Sequence, residues 1–193
     1  MLAAIKVKRV SFLFLATALF ALLSPLPARS ENVGPFGFGV GTDTFTAIKS
    51  DLDNYRCDYD DLSAITLGKL AICPSQNFNF DGLTGSVTLV FDEDEKLSAI
   101  SMNILKSRDL NNSRFDIILK SLTSKYKLVR KNKPFVGDTS AILKKGDVNI
   151  SFEAPHMSFE MSLVYSTDTF DKKLKTYNNN RQQERNAIQR NQL

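Results

Sequence analysis

Two cysteines are the residues with the best-defined chemistry in this sequence. Cys57 and Cys73 are the only cysteines, and 15 residues lie between them. This spacing is not that of a CxxC redox motif, and no neighbouring histidine suggests a zinc site. In an oxidising compartment such a pair normally forms a disulfide, which stabilises a loop of this length by about 3 kcal/mol. We therefore predict a structural disulfide between Cys57 and Cys73.

Other residues that could do chemistry lack the required spacing. The alternating glycines of segment 37–41 precede a predicted helix, but GxGxxG spacing and a following lysine are missing. The acidic segments 58–61 and 92–95 do not have the ligand spacing of a calcium loop. His156, the single histidine, follows a proline in a predicted turn and is expected at the surface. The sequence therefore predicts no catalytic residues, no cofactor and no metal ligands.

Residues 1–30 predict a removable signal peptide. Three basic residues among the first nine precede a 13-residue uncharged, mostly apolar run over 11–23, shorter than the roughly 20 residues of a membrane-spanning helix. Prolines and small residues follow, which predicts cleavage after Ser30 or after Ala28. The rival interpretation is an uncleaved anchor. We expect a periplasmic or secreted protein without a stable membrane anchor after signal removal.

The charge balance changes once the signal is removed. The chain has 25 basic and 21 acidic residues, but residues 1–30 carry four bases and no acid. The remaining chain is balanced, so its charge does not indicate a nucleic-acid partner. Residues 31–110 hold 6 bases and 13 acids, whereas residues 111–193 hold 15 bases and 8 acids. The two parts could attract one another, or could present differently charged faces to a partner.

Hydrophobic periodicity predicts three helices. Apolar residues recur at helical spacing from Phe45 to Tyr55, with Thr42 and Asp43 as candidate caps. The same spacing predicts a second helix over 115–126, opened by Asn112 or Ser113, and a third over 170–177. The polar segment 178–193 is predicted to be a solvated helical extension or a disordered tail.

Alternating apolar residues predict the strands of an antiparallel sheet. The pattern runs over 87–91 and 100–104, joined by a hairpin at 92–96, and then over 148–152 and 157–165. Turns are predicted at 144–147, after the apolar segment 141–143, and at 154–156. In the last strand Met157 and Phe159 alternate with Met161, Leu163 and Tyr165, so all five are expected on one buried face.

The order of these elements recurs weakly along the chain. A helix followed by strands is seen twice, with offsets that fall from 70 to 59 residues. The alternative is coincidence, since any such unit shows apolar residues at these periods. We predict an α+β fold of two tandem helix-plus-antiparallel-sheet units, with helices on one face of the sheet. The expected units are residues 31–110, acidic and stapled by the disulfide, and 111–177, basic, followed by the tail 178–193.

The lead-in ending at Gly41-Thr42, followed by a short helix and a sheet, resembles the units of two groups of bacterial envelope proteins. One is the small outer-membrane assembly lipoproteins of the BamE type, and the other is the beta-lactamase inhibitory protein family. The resemblance covers roughly residues 36–165 and rests on element order and repeat. The sequence departs from the first group in lacking a lipobox cysteine, and from the second in having one cysteine pair. The resemblance implies a scaffold that binds other proteins.

These observations lead to one functional hypothesis and two alternatives. We expect an exported soluble protein without catalytic activity that binds another envelope or secreted protein through its sheet face or loops. The first alternative is a small-molecule or lipid-binding module, in which sheet and helices enclose an apolar pocket. The second is an enzyme of unrecognised type. A cleft with titratable groups of shifted pKa would favour this alternative.

Overall fold

The computed structural model describes residues 32–107 and 113–191. The predicted signal peptide and its cleavage position, at Ser30 or Ala28, lie outside these residues. Within them the fold is α+β, with three helices and a seven-stranded antiparallel sheet. The helices are α1 (Phe45–Asn54), α2 (Ser113–Thr123) and α3 (Asp168–Asn191). The strands are β1 (Leu70–Pro74), β2 (Leu83–Phe91), β3 (Leu97–Leu105), β4 (Lys127–Asn132), β5 (Thr139–Lys145), β6 (Val148–Ala154) and β7 (Glu160–Thr167).

The sheet is built from two antiparallel meanders. Its strand order is β1-β2-β3-β7-β6-β5-β4. The meander β1–β3 follows α1, and the meander β4–β7 follows α2. The two meet where β3 pairs with β7, with Ile100 opposite Tyr165 and Met102 opposite Leu163. One continuous sheet therefore joins the two stretches of chain.

The N-cap of helix α1 lies one residue after the predicted candidate caps. Thr44 is the N-cap, and its hydroxyl accepts a hydrogen bond from the Ala47 amide at 3.3 Å. Thr42 and Asp43 do not have this role, because the Asp43 carbonyl accepts from the Leu97 amide at 2.8 Å and its carboxylate accepts from the Gly39 amide at 2.6 Å. Asp43 therefore ties the start of the helix to the lead-in and to β3.

The apolar sides of helices α1 and α2 are buried against the same face of the sheet. Both contribute to one hydrophobic cluster with inward-facing residues of the central strands, as their spacing predicts. At its centre the ring of Phe115 stacks on that of Phe152, with the two centroids 4.4 Å apart. The helical residues in this cluster are Phe45, Ile48 and Leu52 from α1, and Phe115, Leu119 and Leu122 from α2.

Helix α3 packs on the opposite face. Phe170 and Leu174 form a second cluster with Val90 and Ala99, which point away from the first cluster because side chains alternate along a strand. The prediction that helices pack on one face is therefore right for α1 and α2 and wrong for α3. The helix continues without interruption to Asn191, and segment 178–190 is exposed, so the described part of the tail is helical.

Three features of the sheet differ from the predicted strands. The edge strands β1 and β4 were not predicted, and every residue of β4 is exposed. Strand β7 begins at Glu160, so the expectation that Met157 and Phe159 are buried in it is wrong. The chain turns at this point through a hydrogen bond from the Ser158 amide to the Pro155 carbonyl at 3.2 Å. An alternating pattern that runs on into a turn cannot be told from a longer strand.

The two cysteines tie α1 to the edge of the sheet. The sulfur atoms of Cys57 and Cys73 lie at disulfide-bond distance. Cys57 follows the end of α1, and Cys73 is fully buried in β1. Beside them Asp58 and Ile72 exchange two backbone hydrogen bonds, of 2.9 and 2.7 Å. A disulfide fits an extracellular or periplasmic protein.

Candidate functional site

The glycines of segment 37–41 have a structural role. The Gly39 amide donates to the Asp43 carboxylate, and the Gly41 amide donates to the Leu97 carbonyl at 2.7 Å. Gly37 and Gly41 have φ of 86° and 81°, values that favour glycine. These two amides are used within the chain, and the segment fixes the lead-in against the start of α1.

The acidic segment 92–95 forms the tip of the β2–β3 hairpin. One oxygen of Asp92 accepts from the amides of Asp94 and Lys96, at 3.0 and 2.8 Å, which is the geometry of a side-chain-closed turn. His156 lies in the β6–β7 loop, and its backbone amide donates to the Asp138 carboxylate at 2.6 Å. Within the described ranges no group of three or more histidine, cysteine or acidic side chains could hold a metal ion.

Four apolar side chains protrude at one end of the sheet. Phe135 and Val136 lie in the β4–β5 loop, and Met157 and Phe159 lie in the β6–β7 loop. Both loops leave the same end of the sheet, because Thr139 of β5 pairs with Ala154 of β6. Phe135 is fully exposed, and Met157 and Phe159 are 92% and 88% exposed. We call these residues the loop-tip cluster: Phe135, Val136, Met157 and Phe159.

Backbone and lysine contacts hold the two loops in place. The hydrogen bond from His156 to Asp138 links one loop to the other. The end of β3 adds a second link, because the Lys106 amide donates to the Phe159 carbonyl at 2.9 Å and its ammonium group contacts the Pro155 carbonyl. Burial lowers the pKa of Lys106. The apolar tips are thus presented on anchored loops.

The sheet face that carries α3 is partly uncovered. Beyond the helix a row of side chains crosses six strands on this outer face, with isoleucine near both edges and threonine, serine and valine between them. They are intermediate in burial or exposed. The row consists of Ile72, Thr88, Ser101, Val164, Ser151 and Ile142. We call this surface the outer face.

A cleft of about 780 Å³ runs along α2 on the opposite side of the sheet. This volume is within the range of about 300–1,000 Å³ typical of sites for small molecules. Met102 and Leu163 line it from strands β3 and β7, and Phe36 and Phe80 line it from the lead-in and from the segment before β2. We call it the α2 cleft. Its lining from the helix and the segment after it comprises Ser113, Arg114, Ile117, Ile118, Ser121, Leu122, Lys125 and Tyr126.

Charged groups and phenols lie at the two ends of the α2 cleft. Arg114, in the first turn of α2, is 3.0 Å from the exposed carboxylate of Asp81. Lys125, just beyond the last turn, has no ion-pair partner among the described residues. Nearby, the rings of Tyr126 and Tyr165 meet edge to face with centroids 6.0 Å apart. Burial raises the pKa of Tyr165 well above its usual range, so its phenol is protonated at neutral pH.

Sequence reasoning missed both the loop-tip cluster and the α2 cleft. For the loop tips a signal existed, since Phe135-Val136 stands between Pro134 and Gly137 in a segment of turn composition. The cleft has no such signal, because its lining comes from parts of the chain that are distant in sequence. No helix among the described residues combines the length and the hydrophobicity needed to span a bilayer. No protein-family model, curated protein or solved structure matches this chain.

Proposed function

We propose that this chain is an exported protein without catalytic activity that binds another protein in the periplasm or envelope. The observation that carries the proposal is the loop-tip cluster, in which Phe135, Met157 and Phe159 are almost wholly exposed. Exposed apolar groups at one place favour an interaction site. Phenylalanine and methionine are enriched in protein–protein interfaces, where a few buried anchors supply most of the binding free energy.

The shape of the cluster indicates the kind of partner. The four side chains stand on the tips of two loops, so they form a projection rather than a groove. We propose that the partner has an apolar recess that receives Phe135 and Phe159. The outer face offers serine and threonine hydroxyls, which suit the polar rim of an interface.

The architecture supports a scaffold of two tandem units. In this proposal α1 with β1–β3 is one unit, and α2 with β4–β7 is the second, joined at the β3–β7 pair. Such an arrangement would be similar to that of the beta-lactamase inhibitory protein family, which the element order resembles. The units differ in strand number, three against four, and the disulfide lies in the unit with three strands.

Site-specific photo-cross-linking tests the proposed interface. A photoreactive phenylalanine analogue is placed at Phe135 or at Phe159 in the full-length chain, which is expressed in the organism that encodes it. Ile188 is the matched control, since it is an exposed apolar residue far along α3. We expect the same adduct from both loop positions and none from position 188, because only the loop positions would lie in the interface.

Competition then tests whether the adduct depends on the apolar tips. Excess wild-type protein should suppress the adduct, whereas F135S/F159S should compete at least about 30-fold less well, the effect of losing an anchor worth about 2 kcal/mol. Both side chains are exposed, so these substitutions should leave the melting temperature unchanged. Equal competition by the variant, or equal adducts from position 188, would refute the proposal.

A further inference from the structure

The α2 cleft offers a function beyond protein binding. We propose that it binds an amphipathic carboxylate, an acyl chain with one anionic end, with the chain lying along α2 and the carboxylate at Lys125. This site is separate from the loop-tip cluster.

The apolar part of the site comes from three elements. Leu163 and Met102, on paired strands, form a floor that is buried beneath the cleft. On the helix side Ile117 lines the cleft although it is 67% exposed, so an occupant would cover a large aliphatic surface that now faces water. Phe36 and Phe80 also line the cleft, and their rings pack edge to face with centroids 6.4 Å apart. An apolar chain would therefore contact apolar side chains from the sheet, from α2 and from this aromatic pair.

The length of the cleft favours an extended occupant. Its helical lining follows one face, at Arg114, Ile117, Ser121 and, just past the helix, Lys125. From Arg114 to the last helical residue, Thr123, nine steps of about 1.5 Å per residue span about 14 Å. A compact ring system would fill only part of this length, whereas an extended chain fits along it.

Charge decides which end of the chain carries the anion. Among the charged side chains of described residues that line the cleft, Arg114 and Lys125 outnumber the one carboxylate, Asp81. Asp81 already pairs with Arg114 at 3.0 Å. Lys125 has no such partner among the described residues, so an incoming carboxylate would complete an ion pair there. The protonated phenol of Tyr165 lines the same cleft, and this uncharged hydroxyl group does not repel an anion.

Calorimetric titration of the unaltered protein tests the ligand class. The probes are hexanoate, octanoate and decanoate, with 1-octanol as the uncharged match for octanoate. We expect saturable binding at one site that tightens about fourfold for each added methylene, the fold-change that corresponds to about 0.8 kcal/mol per buried CH₂. We also expect octanol to bind about fivefold more weakly than octanoate, as for loss of a partly exposed ion pair. Absence of saturable binding, no dependence on chain length, or equal affinity for octanol would overturn the proposal.

Substitutions on α2 and beside it test the location. K125A should weaken octanoate about fivefold but leave octanol unchanged, and I117N should weaken both ligands. K120A is the matched control, because Lys120 is exposed on α2 but does not line the cleft. Equal octanoate affinity of K125A and wild type would overturn the placement of the carboxylate. The ligand comparison on wild-type protein decides the ligand class even if a variant fails to fold. Neither result depends on the cross-linking at the loop tips.

Discussion

Reduction of the Cys57–Cys73 disulfide should destabilise the protein mainly because it removes a constraint on the unfolded chain. In the native state the neighbouring residues Asp58 and Ile72 exchange two backbone hydrogen bonds, which remain after the S–S bond is broken. Further along the same loop Leu62 and Lys69 form another antiparallel bridge. The native geometry of the loop is therefore held by several contacts, whereas the unfolded chain is constrained by the disulfide alone.

The size of this effect follows from the length of the loop. The cysteines are 16 positions apart, and closing a loop of that length lowers the free energy of the native state relative to the unfolded chain by about 3 kcal/mol. For a chain of this size each kcal/mol corresponds to about 2–4 °C in melting temperature. Reduction should therefore lower the melting temperature by about 6–12 °C. C57A/C73A should lose about 1 kcal/mol more, because Cys73 is fully buried and its sulfur would be missing from the core.

Urea denaturation followed by circular dichroism measures this difference. The protein is purified from full-length expression with export and is unfolded with and without a phosphine reductant, while C57A/C73A with and without reductant serves as the control. The variant should not respond to the reductant. A loss below about 1 kcal/mol on reduction, or two titratable thiols in native untreated protein, would refute the reasoning.

Three other perturbations act on separate parts of the fold. Burial raises the pKa of Tyr165, so above pH 10 the unfolded chain releases the phenol proton while the folded chain keeps it. The free energy of unfolding should therefore fall by about 1.4 kcal/mol per pH unit above pH 10. Y165F should lack this contribution in urea titrations at pH 8–11. Hydrogen bonds from Lys144 and Asn149 lower the pKa of Asp168. D168N should therefore be less stable than wild type above about pH 4. In thermal melts this difference should disappear as the pH falls through the pKa of Asp168 in the folded protein. F170A should lower the free energy of unfolding by about 3 kcal/mol, because Phe170 of α3 is buried against the outer face. Truncation after Tyr177 should change the free energy of unfolding by less than about 0.5 kcal/mol, because the segment removed is exposed. A large loss on truncation would show that this segment docks.

The opposite charges of the two halves of the chain contribute little to joining them. Two of the described ion pairs cross between residues 32–107 and 113–191, namely Arg114 with Asp81 and Lys173 with Glu93, both at 3.0 Å. Both acids are largely exposed, and exposed pairs of this kind are worth about 0–1 kcal/mol. The β3–β7 pairing and the shared hydrophobic cluster hold the halves together instead.

Local pattern was sufficient for the helices and for most strands. The stripe of α1 at Phe45, Ile48 and Leu52 and the alternation in β6 were read directly from residue spacing, because a helix or strand with one buried face must repeat its apolar residues at that period. The pairing of Cys57 with Cys73 needed only composition and compartment. For the candidate site the sequence indicated a sheet face or loops but not which residues.

Long-range contacts decided the rest. Strand β4 is held at the sheet edge by backbone hydrogen bonds to β5, which leave no pattern in its exposed, charged side chains. The exposure of Phe159 depends on where β7 begins against β3, and the side of the sheet that α3 covers depends on what it packs against. By itself the sequence determined which residues of α1, α2 and the central strands turn toward a core. Only the tertiary structure decided which surfaces meet and which stay open, because spacing along a chain records the face of an element but not its neighbour.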